Sequence, residues 1–332
     1  MTIPKARQVK KMNQILINKL EQLILAAKKI LILTHQKPDG DALGSGLAFS
    51  EFLDVLGKDN NFFALGPISS TADFLPGRKK IKTNFNEINL TDFDLIAMLD
   101  CGDLKQTGIE TELRALPPGV SILNIDHHQT NENFGVVNIV NPESSSTAEI
   151  VFSLFEELNF SMSKDVATLL LTGLITDTAN FSNPATTFAS LEAAGKLLAR
   201  GARLGEISAN VLKNKSLDVL KFWGTILSRL TENKELGVVT TVITREDLEL
   251  ANLDEEALEG VTNFLNNLKG AKMVLVLKAL EDGKIKGSFR TTAPGIDVSR
   301  LAKTFGGGGH AKAAGFTIPG KLVKIDGGWR IE

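Results

Sequence analysis

The chain has a single cysteine, Cys101, so neither an internal disulfide framework nor a cysteine-cluster metal site can be built from it. Any metal must be held by histidine and carboxylate. Only four histidines are present, at His35, His127, His128 and His310. No apolar run approaches the roughly 20 residues of a membrane span, and the polar start MTIPKARQVKKMNQ lacks a secretory apolar region. These absences lead to the expectation of a cytoplasmic globular protein with no membrane partner. The chain also shows no repeat of roughly 20 to 50 residues and no low-complexity tract beyond GGGG. Neither a Walker A loop nor a Rossmann fingerprint occurs, and no aromatic and basic platform for stacking long single strands is visible.

The length of 332 residues suggests two domains at about 150 residues each, and a hydrophobic content of 43% is enough to fill two cores. The net charge of -2 conceals an imbalance, because residues 271–332 hold eleven Lys/Arg against five Asp/Glu. That basic C-terminal piece suits a small anionic substrate better than a long duplex, whose binding usually shows as a broader basic face.

Near-continuous apolar segments recur at KKILILTH, NNFFAL, DLIAMLD, SILNID and VVNIV, with helical patterns such as Gly44 to Leu56 between some of them. This grammar predicts an α/β protein with a doubly wound, mostly parallel sheet covered on both faces. Three helices should follow, in SSTAEIVFSLFEEL with a capping box from Ser146 to Glu149, in KDVATLLLTGLITDT, and in TTFASLEAAGKLLARG with Gly201 as its stop. Residues 1–202 are then expected as one domain, 203–232 as a helical connector, and 233–332 as a smaller α/β domain with a mixed sheet. That second domain should contain strands at GVVTTVIT, KMVLVLKAL and IKGSFRTT, a helix near Glu255 to Leu268, and a hairpin turn at Asp282-Gly283.

In open α/β sheets ligands bind beyond the carboxyl ends of the strands. His35 follows the first predicted strand, Asp100 ends another, and Asp126, His127 and His128 end a third, while Asp177 closes an apolar helix. Taken singly, Asp39-Gly40 is a common turn and His127 a plausible core histidine. Together, four converging carboxylates at Asp39, Asp41, Asp100 and Asp177 would repel unless cations neutralise them. Two divalent ions supply the matching charge, and neutral imidazoles complete the coordination without adding to it. A set of histidine and aspartate favours Mn2+, with Co2+, Fe2+ and Mg2+ as alternatives, over structural zinc. Such an ion pair commonly serves the attack of water on a phosphorus ester.

The segments THQKPDGDALGS, MLDCGD, Asp126-His127-His128 and GLITDT, in that order, resemble the DHH phosphoesterase superfamily. The segment GSFRTTAPGIDVSRLAKTFGGGGHAKAAGF resembles its associated DHHA1 domain, so the similarity covers nearly the whole chain. Length points to the nanoRNase subgroup, enzymes that degrade very short oligoribonucleotides and dephosphorylate 3'-phosphoadenosine 5'-phosphate (pAp). The resemblance implies that His35, Asp39 and Asp100 hold one metal ion, and Asp41, Asp100, His127 and Asp177 the other, with Asp100 bridging. It also implies that His128 faces the substrate, with Asp126 orienting an imidazole. In the second domain it assigns substrate binding to Arg290, with Ser288 as a neighbour, and to Gly307, Gly308, Gly309 and His310. The glycine run is expected to precede a helix in the Ala-rich stretch and so present backbone amides to a phosphate.

The expected partners are short RNA oligonucleotides, pAp and the linear dinucleotide pApA, with no long duplex; a homodimer is compatible with the resemblance. A pApA phosphodiesterase of the cyclic-di-AMP pathway and a non-catalytic nucleotide sensor are the alternative functions. A family II inorganic pyrophosphatase is disfavoured by GGGGHAKAAG, and a RecJ-type exonuclease by the lack of an added nucleic-acid domain.

Overall fold

A computed structural model of the protein describes residues 13–253, 258, 260–280, 282–325 and 328–332. The chain forms two compact units, one ending at Asn214 and the other beginning at Lys215. Residues 203–214 thus pack with the first unit and 215–232 with the second. No helix among the described residues is long and apolar enough to cross a membrane.

In chain order the first unit contains α1 (Gln14–Ala26), β1 (Lys29–Leu33), α2 (Gly40–Val55), β2 (Asp59–Phe63), β3 (Ile81–Lys82), β4 (Leu95–Leu99), α3 (Glu110–Arg114), β5 (Ser121–Asp126) and β6 (Val137–Val140). Helices α4 (Thr147–Glu157), α5 (Lys164–Asp177), α6 (Phe188–Ala199) and α7 (Leu204–Ile207) follow. The six strands pair in the order β3-β2-β1-β4-β5-β6, and every pairing is parallel.

Burial on both faces explains the continuous apolar runs. In β1, Ile30 and Ile32 pack into one core with residues of α1, α2, α4 and α5, while Leu31 and Leu33 point into a second core on the opposite face. Strand β4 alternates likewise, with Leu95, Ala97 and Leu99 on one side and Ile96 and Met98 on the other. Each of the Ile, Leu and Met side chains among these, taken fully out of water, contributes about 1.5–3 kcal/mol. The strand order reverses direction between β1 and β4, so the crevice at their carboxyl ends is where this topology places ligands.

Helix α2 starts where Asp39 accepts the amide hydrogens of Asp41 and Ala42. It lies against α5 so closely that a side chain at Gly44 would strike the Leu169 carbonyl. Helix α4 departs from the expected capping box. Ser146 Oγ does accept from the Glu149 amide at 3.1 Å, but the Glu149 carboxylate turns to Ser145, taking its amide at 2.9 Å and its hydroxyl at 2.6 Å. Only one half of the box is made, because the preceding serine offers two donors where the cap offers one. Gly201, at φ +87°, ends the turn after α6.

The second unit contains α8 (Leu217–Ser228), β7 (Thr231–Asn233), β8 (Val238–Ile243), α9 (Arg245–Ala251), α10 (Val261–Phe264), β9 (Met273–Ala279), β10 (Lys284–Arg290), α11 (Val298–Thr304), β11 (Gly308–His310), β12 (Ala313–Pro319), β13 (Leu322–Ile325) and β14 (Gly328–Ile331). Its main sheet has the order β11-β12-β10-β9-β8-β7 and is mixed, since β8 and β9 are parallel and the other pairs antiparallel. The β9 to β10 hairpin turns through Gly283 at φ +69°. Of the helix expected near Glu255 to Leu268, residues 255–257 and 259 lie outside the described residues; α10 and a 3-10 turn, Leu265–Asn267, make up its later part.

Candidate metal centre

The six residues read as ligands come from four separate places and converge at the carboxyl ends of β1, β4 and β5. His35 stands two residues beyond β1. Its Nδ1 lies 3.0 Å from the Gln36 carbonyl oxygen, so Nδ1 carries the hydrogen and Nε2 is directed at Asp100 Oδ2, 3.6 Å away, and Asp39 Oδ1, 3.9 Å away. His127 follows β5, and its Nε2 is 3.2 Å from Asp177 Oδ2 and 3.7 Å from Asp100 Oδ1.

Three groupings bring one ligand atom from each member within 4.8 Å of the others: His35, Asp39 and Asp100; Asp41, His127 and Asp177; and Asp100, His127 and His128. Asp100 stands in two of them. It follows β4 in the left-handed region at φ +59°, which an aspartate tolerates better than most side chains, while its amide still bonds the Ile125 carbonyl at 3.0 Å. Backbone strain of this kind concentrates at functional sites.

The charge balance fits cations. Burial, together with the neighbouring Asp100, Asp177 and Asp39, pushes Asp41 well above the usual carboxylate range. Burial also raises Asp177 well above that range, with Asp39 and Asp100 adding to it. Desolvation alone would lower His35, but its contacts with Asp100 and Asp39 overcome that and push it up to about 11. Asp39, which partial desolvation would raise, is held at about 2 by His35 and the two α2 amides. Without cations, protons must gather in this crevice to offset the carboxylates. The donors are oxygen and imidazole nitrogen, the set that suits divalent ions such as Mn2+, Mg2+, Co2+ and Fe2+.

His128, a member of the third grouping, also pairs with Asp126. Asp126 is fully buried, and its Oδ1 lies 2.7 Å from His128 Nδ1. Burial would lower His128, yet the bond to Asp126 and the charges of Asp100 and Asp177 raise it to about 9. Burial would raise Asp126, but the same bond brings it below its ordinary value.

Three features of the site had no counterpart in the sequence reading. Both oxygens of Asp41 accept backbone amides from the start of α4, from Thr147 at 2.6 Å and Ala148 at 2.9 Å. The Thr147 hydroxyl donates to Asp100 Oδ1 at 2.9 Å. Asn131 Nδ2 is 2.6 Å from Asp126 Oδ2 and 2.8 Å from Asn124 Oδ1, tying Asp126 in place from the side away from His128. The run SSSTAE carries a signal for the second alone, since a hydroxyl residue at the start of a helix can donate outward as well as cap. Gly173 also belongs to the site, because a Cβ there would come within 2.5 Å of Asp41 Oδ1 and 2.6 Å of Ala148 Cβ.

In the second unit, Ser288 and Arg290 share one face of β10, while Ile285, Gly287 and Phe289 are buried on the other. Arg290, whose pKa is lowered by burial, lines a small cleft with Thr291, Thr292, Lys272, Leu265 and Leu268. The glycine run is not followed by a helix. It comes after α11, and Gly308 and Gly309 enter β11, which pairs antiparallel with Gly315 and Ala314 of β12. The small residues serve a close strand contact, since a side chain at Gly307 would strike the Gly315 carbonyl, whereas Gly308 faces open space. The side chain of His310 lies outside the described residues.

Residues 29–174 match the DHH family, N-terminal domain, and residues 236–326 match the DHHA1 domain. The chain is 31% identical to the bifunctional oligoribonuclease and PAP phosphatase NrnA of Thermus thermophilus, over 88% of this chain and 84% of that protein. It is 27% identical to the protein of the same name from Bacillus subtilis, over 87% and 89%. Among solved structures, an exopolyphosphatase-related protein from Bacteroides fragilis superposes with a TM-score of 0.87 at 28% identity, covering 94% of each chain.

Proposed function

The chain belongs to the DHH family, with a DHHA1 domain after its DHH domain, and from that premise we propose that it is a metal-dependent phosphoric ester hydrolase. Its substrates in this proposal are very short oligoribonucleotides, cleaved to nucleoside monophosphates, and pAp, converted to AMP and inorganic phosphate. The observation that carries the proposal is that His35, Asp39 and Asp100 gather in one grouping and Asp41, His127 and Asp177 in another, with Asp100 Oδ1 3.7 Å from His127 Nε2. Support for the substrate class comes from the two NrnA relatives, which match over most of their length.

His35, Asp39 and Asp100 would hold one ion and Asp41, Asp100, His127 and Asp177 the other. Two divalent ions, Mn2+ in preference to Co2+, Fe2+ or Mg2+, would polarise a phosphoryl oxygen and lower the pKa of water. His128 keeps Nδ1 on Asp126 and, as an imidazolium, uses Nε2 to donate to a phosphoryl oxygen or to the departing sugar oxygen. For pAp, water adds to the 3'-phosphorus, the bond to the 3'-oxygen breaks, and the proton ends on that oxygen.

Arg290, assisted by Ser288, Gly307, Gly308, Gly309 and His310, grips the phosphate not undergoing reaction. A guanidinium holds a phosphate through two parallel bonds, which a lysine does not reproduce. The protein acts in the cytoplasm, alone or as a homodimer.

The test is a panel of pAp, pApA, ribonucleotides of two to five residues and pyrophosphate, each assayed with Mn2+ and with a chelator. Hydrolysis of the dinucleotides and pAp only with metal is expected. Binding without turnover would replace the enzyme with a sensor, and turnover confined to pApA would assign it to cyclic-dinucleotide breakdown.

A further inference from the structure

Helix α4 reaches the candidate metal centre through a residue outside the six proposed ligands. Thr147 is fully buried and is the first residue of α4 after the cap Ser146. It makes bonds to two different carboxylates. Its amide donates to Asp41 Oδ2 at 2.6 Å and its hydroxyl to Asp100 Oδ1 at 2.9 Å. An ionised carboxylate only accepts, so the hydroxyl hydrogen must point at Asp100.

The hydroxyl bond decides how the Asp100 carboxylate is turned. Oδ2 is the oxygen 3.6 Å from His35 Nε2, and Oδ1 is the oxygen 3.7 Å from His127 Nε2. One oxygen therefore faces each half of the ligand set. The terminal torsion of an aspartate is broad and does not hold such an orientation by itself. Thr147 holds Oδ1 from behind, and its β-branched side chain has few χ1 settings from which to do so. The amides of Thr147 and Ala148 meanwhile occupy lone pairs on both oxygens of Asp41. An ionised carboxylate offers about four acceptor positions, so each group keeps capacity for a cation.

We propose that Thr147 is a positioning residue that holds the Asp100 carboxylate across the two halves of the centre and fixes it relative to Asp41. The inference rests on the two-ion site proposed above.

The test uses the full chain with Thr147→Val, which keeps the shape and the amide but loses the hydroxyl, and Thr147→Ser, which restores a hydroxyl. Metal-free protein is titrated with Mn2+ by calorimetry, the loaded protein is examined by electron paramagnetic resonance for magnetic coupling between ions, and the Tm of the metal-free form is recorded. For the unaltered chain two ions and a coupled spectrum are expected. Thr147→Val should weaken at least one ion by about tenfold or more and diminish the coupled signal, while Thr147→Ser recovers most of both. Wild-type affinity and coupling in Thr147→Val overturn the inference alone, as does equal loss in both variants accompanied by equal falls in Tm. A single ion in the unaltered chain overturns the two-ion site and the inference with it.

Discussion

The first unit gathers a cluster of aspartates and histidines at the carboxyl ends of a parallel sheet, with Asp41 and Asp126 fully buried, Asp100 nearly so and Asp39 half exposed. The second contains the basic stretch 271–332 and is built on a mixed sheet, and its cations serve varied ends. Lys312 Nζ bonds the carbonyls of Ala293 and Ile296, and Arg229 is committed to Asp247. Burial lowers the pKa of Arg290. Concentrated like charge under burial demands counter-ions, whereas net charge spread over a surface says little about where an anion will sit.

Removing the carboxylate that the two halves share should separate the units most sharply. Asp100→Ala is expected to lower kcat by on the order of a thousandfold on every substrate, and Mn2+ at saturation should not restore it. Activity close to that of the unaltered chain would break the assignment of the first unit. Gly173→Ala comes next, since the added methyl would clash with both Asp41 and Ala148. A loss of about 1–3 kcal/mol in stability with weaker Mn2+ binding is expected, measured by denaturation and calorimetry. Unchanged values would show that the close packing of α5 on the site is dispensable.

In the second unit, Arg290→Lys should cost about ten- to a hundredfold in kcat/KM for pAp, in line with the loss of a charge-assisted bond of about 1.5–3 kcal/mol. The same variant should change unphosphorylated dinucleotides much less. Equal losses on both would dissolve the distinction between a reaction site and a phosphate grip.

The smallest effect is on stability against pH. In metal-free protein His128 is raised from 6.5 to about 9 by Asp126, so the pair contributes fully below pH 6.5 and the contribution is lost as pH rises through about 9. Asp126→Asn should flatten this part of the profile, as read by chemical denaturation across the range. A profile of unchanged slope would leave the His128–Asp126 bond without energetic consequence.

Much of the first unit was legible because its information lies in residue type and order. β1, β4 and β5 announce themselves by apolar runs, and the residues that follow them are histidine and aspartate. β3, only two residues long, carried no such pattern. Bonds supplied by a distant backbone were equally hidden: nothing in the composition of DGDALG says that Asp41 will accept amides from Thr147 and Ala148, more than a hundred residues away. The glycine run misled for a related reason. Glycines permit a phosphate cradle and a close strand contact alike, and only the pairing of β11 with β12 reveals the second use.

The division between the units is tested most directly by Mn2+ titration of the metal-free full chain, unaltered and as Asp100→Ala and Arg290→Ala. Two ions are expected in the unaltered chain and in Arg290→Ala, and fewer than two tightly held ions in Asp100→Ala. One ion in the unaltered chain, or loss of an ion with Arg290→Ala, would contradict the account.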